Sequence, residues 1–463
     1  MKKILSCILA LVMVLALAAC GGSGTPAATE GPAAPDAPAS QAPATQAPAT
    51  QAPADGGDEP APAPAAAGKA YPNCNADGSI NLDTIGHFDP EYDYSQNPRY
   101  KVCYVSTGSS PLSQEAARAY ESWCAQMNME WMGFSSSEGD NDLFMTLVQN
   151  QIDQNVEILI LDPDNNIIPA VADLMAEHPE CAWMSMMSPP RDTINGEGIP
   201  VGGNLVHPSV GFSHYDAGWQ QMIKLFDWMK ETYPDADWSE VGCLSMDYTL
   251  MPELHNRSVA AVDYWKQYAP AEAQDNIFIG DMAAAGFTLQ SGIDVGGPIV
   301  STHGNIKYWL VQGNVDDWAM GVTQVVEQAG LSDTSCVVSF GGAGLQMQWD
   351  AGQQNCFRYA LYSANILYAE PIIGGCYAFK MGWATPETIW PKWVNQNDCG
   401  GAGHTYASLL LPTTWLAYDN YKSYLEWCDL YAGTQLFNYD ADVTVAIDDY
   451  SAFVEEVPAS YKN

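Results

Sequence analysis

Short apolar runs alternate with amphipathic stretches along most of this chain, at nearly even intervals. The run Lys101-Val102-Cys103-Tyr104-Val105-Ser106 ends in a polar loop at residues 107–111 and predicts a first strand. Ser113 is placed to cap a helix whose apolar positions Ala116, Tyr120, Trp123, Cys124 and Met127 recur at three and four. Further runs at 130–134, 157–161 and 181–187 are separated by helical patterns carrying Phe144, Leu147, Val148 and Ile152, then Ile168, Val171, Ala172 and Met175. The starts near 101, 130, 157 and 181 define units of 24 to 29 residues, the length of a strand, a crossover helix and two short loops. Residues 157–161 are almost wholly apolar, as expected of a parallel strand covered on both faces, and lead into Asp162-Pro163-Asp164-Asn165. The pattern predicts an open, doubly wound α/β sheet.

The same alternation resumes after Gly218. A helix with Trp219, Met222, Leu225 and Phe226 precedes a strand at 241–245, and a helix from about Asn256 precedes a strand at 308–312. A helix over 318–329 and a strand at 336–340 then run into Gly341-Gly342-Ala343-Gly344. A second α/β lobe is expected.

The segments before this pattern read differently. Lys2 and Lys3 precede a mostly apolar stretch at 4–19 that is shorter than the roughly 20 residues a bilayer span needs, so residues 1–20 are expected to be an export signal. Leu17-Ala18-Ala19-Cys20-Gly21 resembles the bacterial lipobox, which implies lipidation at Cys20 and a mature chain anchored to the membrane on its extracellular or periplasmic side. Residues 21–70 are mainly Ala, Pro, Gln, Thr and Gly and repeat Gln-Ala-Pro-Ala-Thr; with few large apolar side chains they read as a disordered tether. An N-terminal extension at 71–97 follows.

Composition narrows the partners. The chain has 17 basic and 55 acidic residues, a formal charge of −38, which repels nucleic acid and disfavours an anionic ligand outside a local basic pocket. A neutral small molecule is therefore expected. Apart from Cys7 and Cys20, the cysteines form no Cys-x-x-Cys pair, and several fall inside apolar runs as small hydrophobes, so no metal and no cofactor are expected; disulfide pairing stays open. Asn73-Cys74-Asn75-Ala76-Asp77-Gly78-Ser79-Ile80 has the alternating oxygen groups of a calcium loop, but Asn73 holds the first position and Thr84 the twelfth, which equally suits an Asx-rich turn.

Over residues 98–425 the chain resembles the type I periplasmic-binding-protein family, the sugar-binding group that includes ribose- and galactose-binding proteins. The likeness rests on the stretch 149–164, on Ser213-His214-Tyr215-Asp216-Ala217-Gly218, on Arg257 at a helix start, on Asp316-Asp317-Trp318-Ala319-Met320-Gly321, on Val337-Val338-Ser339-Phe340-Gly341-Gly342, and on Asp419-Asn420-Tyr421. It implies two lobes joined by a three-crossing hinge: residues 98–211 plus about 363–411, and 212–362 plus about 412–463. The implied function is capture of a sugar for an ABC permease by a monomeric binding protein, with no enzymatic step. Departures are evident: Pro111-Leu112 replace first-loop aromatics, Met186-Met187-Ser188 lack the usual acid, Gly341 replaces another acid, and Ala260 replaces a glycine.

A cleft for a neutral polyol needs side chains that bond neighbouring hydroxyls and an aromatic face for the ring. Ser106 and Thr107 end the first strand. Asp162, Asp164 and Asn165 end the third, where they either meet hydroxyls or cap the next helix. Arg257 offers a guanidinium fork, against a structural ion pair. One of Asp316 and Asp317 is expected to cap its helix and the other to face the cleft. Trp183 and Trp318 stack on a ligand or belong to the core, and Gln346 lies beyond the glycine loop. An exported hydrolase is disfavoured, since there is no Gly-x-Ser-x-Gly and no His-Glu-x-x-His. A nucleoside binder, a signalling-molecule binder and a sensor for a membrane receptor share the same fold.

Overall fold

The computed structural model describes residues 68–109, 111–186, 207–363, 365–394, 406–410 and 413–423. The expected signal, Cys20, the tether up to residue 67, Cys399, Cys428 and the stretch 424–463 lie outside them. In chain order the elements are β1 (Lys101–Ser106), α1 (Pro111–Gln126), β2 (Glu130–Ser136), α2 (Asn141–Asp153), β3 (Ile158–Asp162), α3 (Ile168–Glu177), β4 (Ala182–Met186) and β5 (Ser209–Gly211). There follow α4 (His214–Thr232), β6 (Val241–Asp247), α5 (Pro252–Tyr268), β7 (Ile277–Asp281), α6 (Leu289–Thr302), β8 (Tyr308–Gly313), α7 (Asp316–Gln328), β9 (Cys336–Phe340), α8 (Ala343–Asp350), β10 (Phe357–Tyr362), α9 (Asn365–Lys380), β11 (Ser408–Leu410) and β12 (Thr414–Leu416).

The strands form two six-stranded sheets, ordered β11-β5-β4-β3-β1-β2 and β12-β10-β9-β8-β6-β7. Every pairing is parallel except β12, which runs antiparallel to β10. The apolar run in β3 serves two cores at once. Ile158 and Ile160 pack with Val102, Tyr104 and Met184 beneath α1 and α9, whereas Leu159 and Leu161 pack with Cys103 and Val105 beneath α2 and α3. Alternate residues of a strand point to opposite faces, so a sheet covered on both sides needs apolar residues at every position. The second sheet is built the same way, with Cys243 and Leu310 toward α4 and α5, and Leu244 and Val311 toward α6 and α7.

The chain passes between the sheets three times: from β5 into α4, from β10 into α9, and from β11 into β12. Each passage leaves the carboxyl end of a strand, so those ends of both sheets gather around the hinge, where open α/β sheets bind ligands.

The extension is part of the folded body. Ile85, Phe88, Tyr92 and Tyr94 are buried in the core, and Glu370 on α9 accepts from the backbone N–H of Phe88 and pairs with Nδ1 of His87 at 3.0 Å. A Cβ on Gly374 would stand 2.0 Å from the Gly86 carbonyl oxygen, so only glycine permits this approach. Trp383 meets Tyr71, Tyr92 and Tyr377 edge-on, joining the extension to the segment after α9.

Several boundaries differ from expectation. The first helix starts at Pro111, which puts Ser113 inside its first turn instead of at the cap. The helix expected from Asn256 starts at Pro252, whose fixed φ suits a first helical position. The helix expected from Trp318 starts at Asp316, and its cap is Val315 with no side-chain bond. In the 73–84 loop, the Asn73 amide donates to the carbonyls of His87 and Phe88 while Thr84 Oγ1 donates to the Asn73 carbonyl, so the first and twelfth positions tie the backbone together. The cysteines among the described residues are free thiols. Among those residues no helix is long and apolar enough to cross a membrane.

Candidate ligand-binding site at the strand carboxyl ends

One wall is made where β1 and β3 end side by side. Their parallel register sets Ser106 opposite Asp162. The Asp162 carboxylate accepts from Ser106 Oγ at 3.0 Å and from Tyr104 Oη at 3.3 Å, while its backbone carbonyl accepts from the Thr107 N–H at 3.1 Å. Burial pushes the Asp162 carboxyl up to about 6, opposed by the two hydroxyl donors and reinforced by the charge of Asp164. A carboxyl placed there is a strong acceptor for hydroxyls and titrates near neutrality. Asp164 is half-buried beyond it, and Asn165 opens a 3-10 turn at Asn165–Ile167.

The facing wall, at the ends of β6 and β8, is a buried polar network. Gln312 accepts from Ser245 Oγ at 2.7 Å and donates to Gln221 at 2.6 Å and to Asn314 at 2.8 Å. Asn314 donates to the Leu254 carbonyl and to Ser258. Arg257 joins through Nη1, which donates to the Asn314 carbonyl at 2.7 Å, and through Nη2, which donates to His214 Nδ1 at 3.2 Å. Its guanidinium lies 4.1 Å over the Phe340 ring and 5.4 Å from that of Phe212, two rings that stack at 4.4 Å. Burial pulls Arg257 down to about 9, which leaves it charged at neutral pH. Its Nε is buried without a partner. Arg257 is thus neither exposed nor ion-paired through its fork: it locks the start of α4, at the first crossing, to the end of β8.

Asp316 is the holder of the glycine loop. Its carboxylate accepts from Ser339 Oγ, from the Gly342 N–H at 2.8 Å and from the Gly344 N–H at 2.9 Å. It therefore satisfies the amino end of α8, not that of its own helix, and Gly341 and Gly342 turn at φ +127° and +106° to allow it. Burial raises the Asp316 carboxyl, against the pull of these three donors. Asp317 is exposed, and Gln346 lies on α8 near Gly342.

Trp183 and Trp318 do not join these groups. Trp318 is wholly buried, and its Nε1 donates to the Gly286 carbonyl at 2.9 Å. Trp183 sits near the amino end of β4, opposite the hinge, stacked at 4.1 Å on His207, which burial lowers to about 3 and so keeps neutral.

The lobes also touch directly: Tyr362 at the end of β10 donates to Glu115 on α1 at 2.7 Å. Sequence reading missed this pair, and also the Asp247–His255 contact at 2.9 Å at the end of β6. It missed Gln312 as well, although a glutamine inside an apolar strand is itself a signal of a buried polar site.

No protein-family model matches the chain, and no curated protein matches it in sequence. Solved structures do match in fold. A periplasmic ribose ABC transporter protein from Conexibacter woesei aligns with a TM-score of 0.53 at 12% identity, over 71% of this chain and 95% of that one. An ABC transporter periplasmic solute-binding protein from Actinobacillus succinogenes, solved with bound D-allose, aligns with a TM-score of 0.50 at 14% identity, over 71% of this chain and all of the other. With its two parallel-dominated sheets, three crossings and gathered carboxyl ends, this chain has the type I periplasmic-binding-protein fold.

Proposed function

We propose that the chain is an extracytoplasmic solute-binding lipoprotein that captures a small neutral sugar between its lobes and delivers it to an ABC permease. The observation that carries this reading is the Asp162–Ser106 pair, a partly buried acceptor at the carboxyl end of β3 beside the crossings. Vicinal hydroxyls of a sugar fit it, and the opposite wall is backed by Gln312, Asn314 and Arg257, which are buried and held rigid by mutual bonds. Thr107 and Asp164 extend the first wall, Asn165 follows in sequence as a further candidate, and Asp317 and Gln346 rim the second. Arg257, Asp316 and Phe340 position that second wall. The lobes in this reading comprise 98–211 with about 363–411, and 212–362 with about 412–463.

Support also comes from the shared fold with ribose- and allose-associated proteins, and from a charge of −38 that favours an uncharged ligand. Cys20 carries the lipid, residues 21–70 tether a monomer, and the chain performs no catalysis. The test is thermal denaturation of residues 70–463 with a panel of monosaccharides, oligosaccharides and nucleosides. A ligand at a hundred times its Kd adds about 2.7 kcal/mol of stability. A shift with one sugar supports the proposal; shifts confined to nucleosides overturn the sugar assignment.

A further inference from the structure

A second pocket opens on the second lobe, away from the strand carboxyl ends. It has a volume of about 290 Å³ and lies between the end of α8, the start of β10 and the segment after β12. Trp349, Tyr359 and Tyr418 supply aromatic surface, Asn355 an amide, and Arg358 and Asp419 opposite charges.

Among the described residues neither the Arg358 nor the Asp419 side chain makes a hydrogen bond or ion pair, and Arg358 Nε is buried with no hydrogen-bond partner. The placement of Arg358 is built into the sheet. Phe357 pairs with Val337 and Tyr359 with Val338, so Arg358 is the extra residue of a β-bulge, a device that re-aims a side chain. The Arg358 guanidinium lies 5.4 Å from the Trp228 ring centroid, while the rim residue Tyr418 is 46% exposed and meets Trp349 edge-on at 6.2 Å.

We propose that this pocket binds an α-amino acid with an apolar side chain. Its carboxylate pairs with the Arg358 fork, its ammonium with Asp419, and its side chain lies against the tyrosine and tryptophan rings. A zwitterion uses both unpaired charges and, being neutral overall, escapes the repulsion that a chain of −38 exerts on anions. The volume suits one small molecule and not a peptide.

The test is calorimetric titration of the full chain with L-leucine, beside N-acetyl-leucine and leucinamide, each of which lacks one charge. Leucine is expected to bind, and either derivative to bind at least about tenfold more weakly. Arg358→Met and Asp419→Asn are each expected to weaken leucine by a similar factor, while Asp162→Asn leaves it unchanged. Asp419 is exposed, so its variant keeps the test valid if Arg358→Met fails to fold. No binding at millimolar leucine, an unchanged affinity in Asp419→Asn, or a loss in Asp162→Asn overturns the proposal, the last by placing the amino acid between the lobes.

Discussion

The phenol of Tyr362 and the carboxylate of Glu115 meet at 2.7 Å, joining the last residue of β10 to the first turns of α1. One partner belongs to each sheet's layer, so this bond forms only while the lobes are together. A hydrogen bond to a charged group contributes about 1.5–3 kcal/mol. Tyr362→Phe is therefore expected to speed ligand release by about tenfold with little change in association, measured by stopped-flow displacement.

Asp162 couples stability to pH. Its folded carboxyl titrates at about 6, above the ordinary value of 3.8, so folding favours the protonated form. The sign follows: this contribution is fully present below the unfolded value and is lost as pH rises through about 6. Asp162→Asn is expected to stabilise the unliganded protein at pH 7 by about 2 kcal/mol and to flatten its stability between pH 4 and 6. Urea denaturation across that range measures both; a variant no more stable than the parent at pH 7 contradicts the assignment.

Asp316 and Asp317 are neighbours with opposite fates. Asp316→Ala strips the glycine loop of the acceptor for three donors and is expected to cost about 2–3 kcal/mol, whereas Asp317→Ala, on the exposed side, stays within about 0.5 kcal/mol. Chemical denaturation of the two variants separates them, and equal effects refute the loop-holding role.

At Gly218, α4 packs close against the backbone of α5. A Cβ there would stand 2.2 Å from the Arg257 carbonyl oxygen, a backbone atom that cannot step aside. Gly218→Ala is expected to destabilise by about 2–3 kcal/mol and to weaken ligand binding, because the displaced helix carries Arg257. Combined melting and binding measurements test this.

The parallel strands β1–β4, β6, β8 and β9 were readable because burial on both faces leaves an apolar signature, as in Ile158-Leu159-Ile160-Leu161, whereas β5, β10 and β11 were not read. The edge strand β7 was not, since Ile277-Phe278-Ile279 is too short a run to be told from a loop, and Ile279 is in fact exposed. Ser106 and Asp162 were placed at strand ends by the sequence, and the structure sets them side by side. The role of Arg257 was not legible, because it depends on the Asn314 carbonyl and His214, which lie 57 and 43 residues away in the chain. One of Asp316 and Asp317 was likewise expected to cap their own helix, and only the fold brings Asp316 to the start of α8, 26 residues on.

In the proposed site a small neutral sugar is held at the carboxyl ends of the strands by the Asp162–Ser106 wall. The most direct test is calorimetric titration of the parent, Asp162→Asn and Ser106→Ala with the monosaccharide that most raises the melting temperature. The expected result is at least about a tenfold loss of affinity in Asp162→Asn, a smaller loss in Ser106→Ala, and no loss of folding in either. Unchanged affinity in Asp162→Asn, with the protein folded, would contradict it.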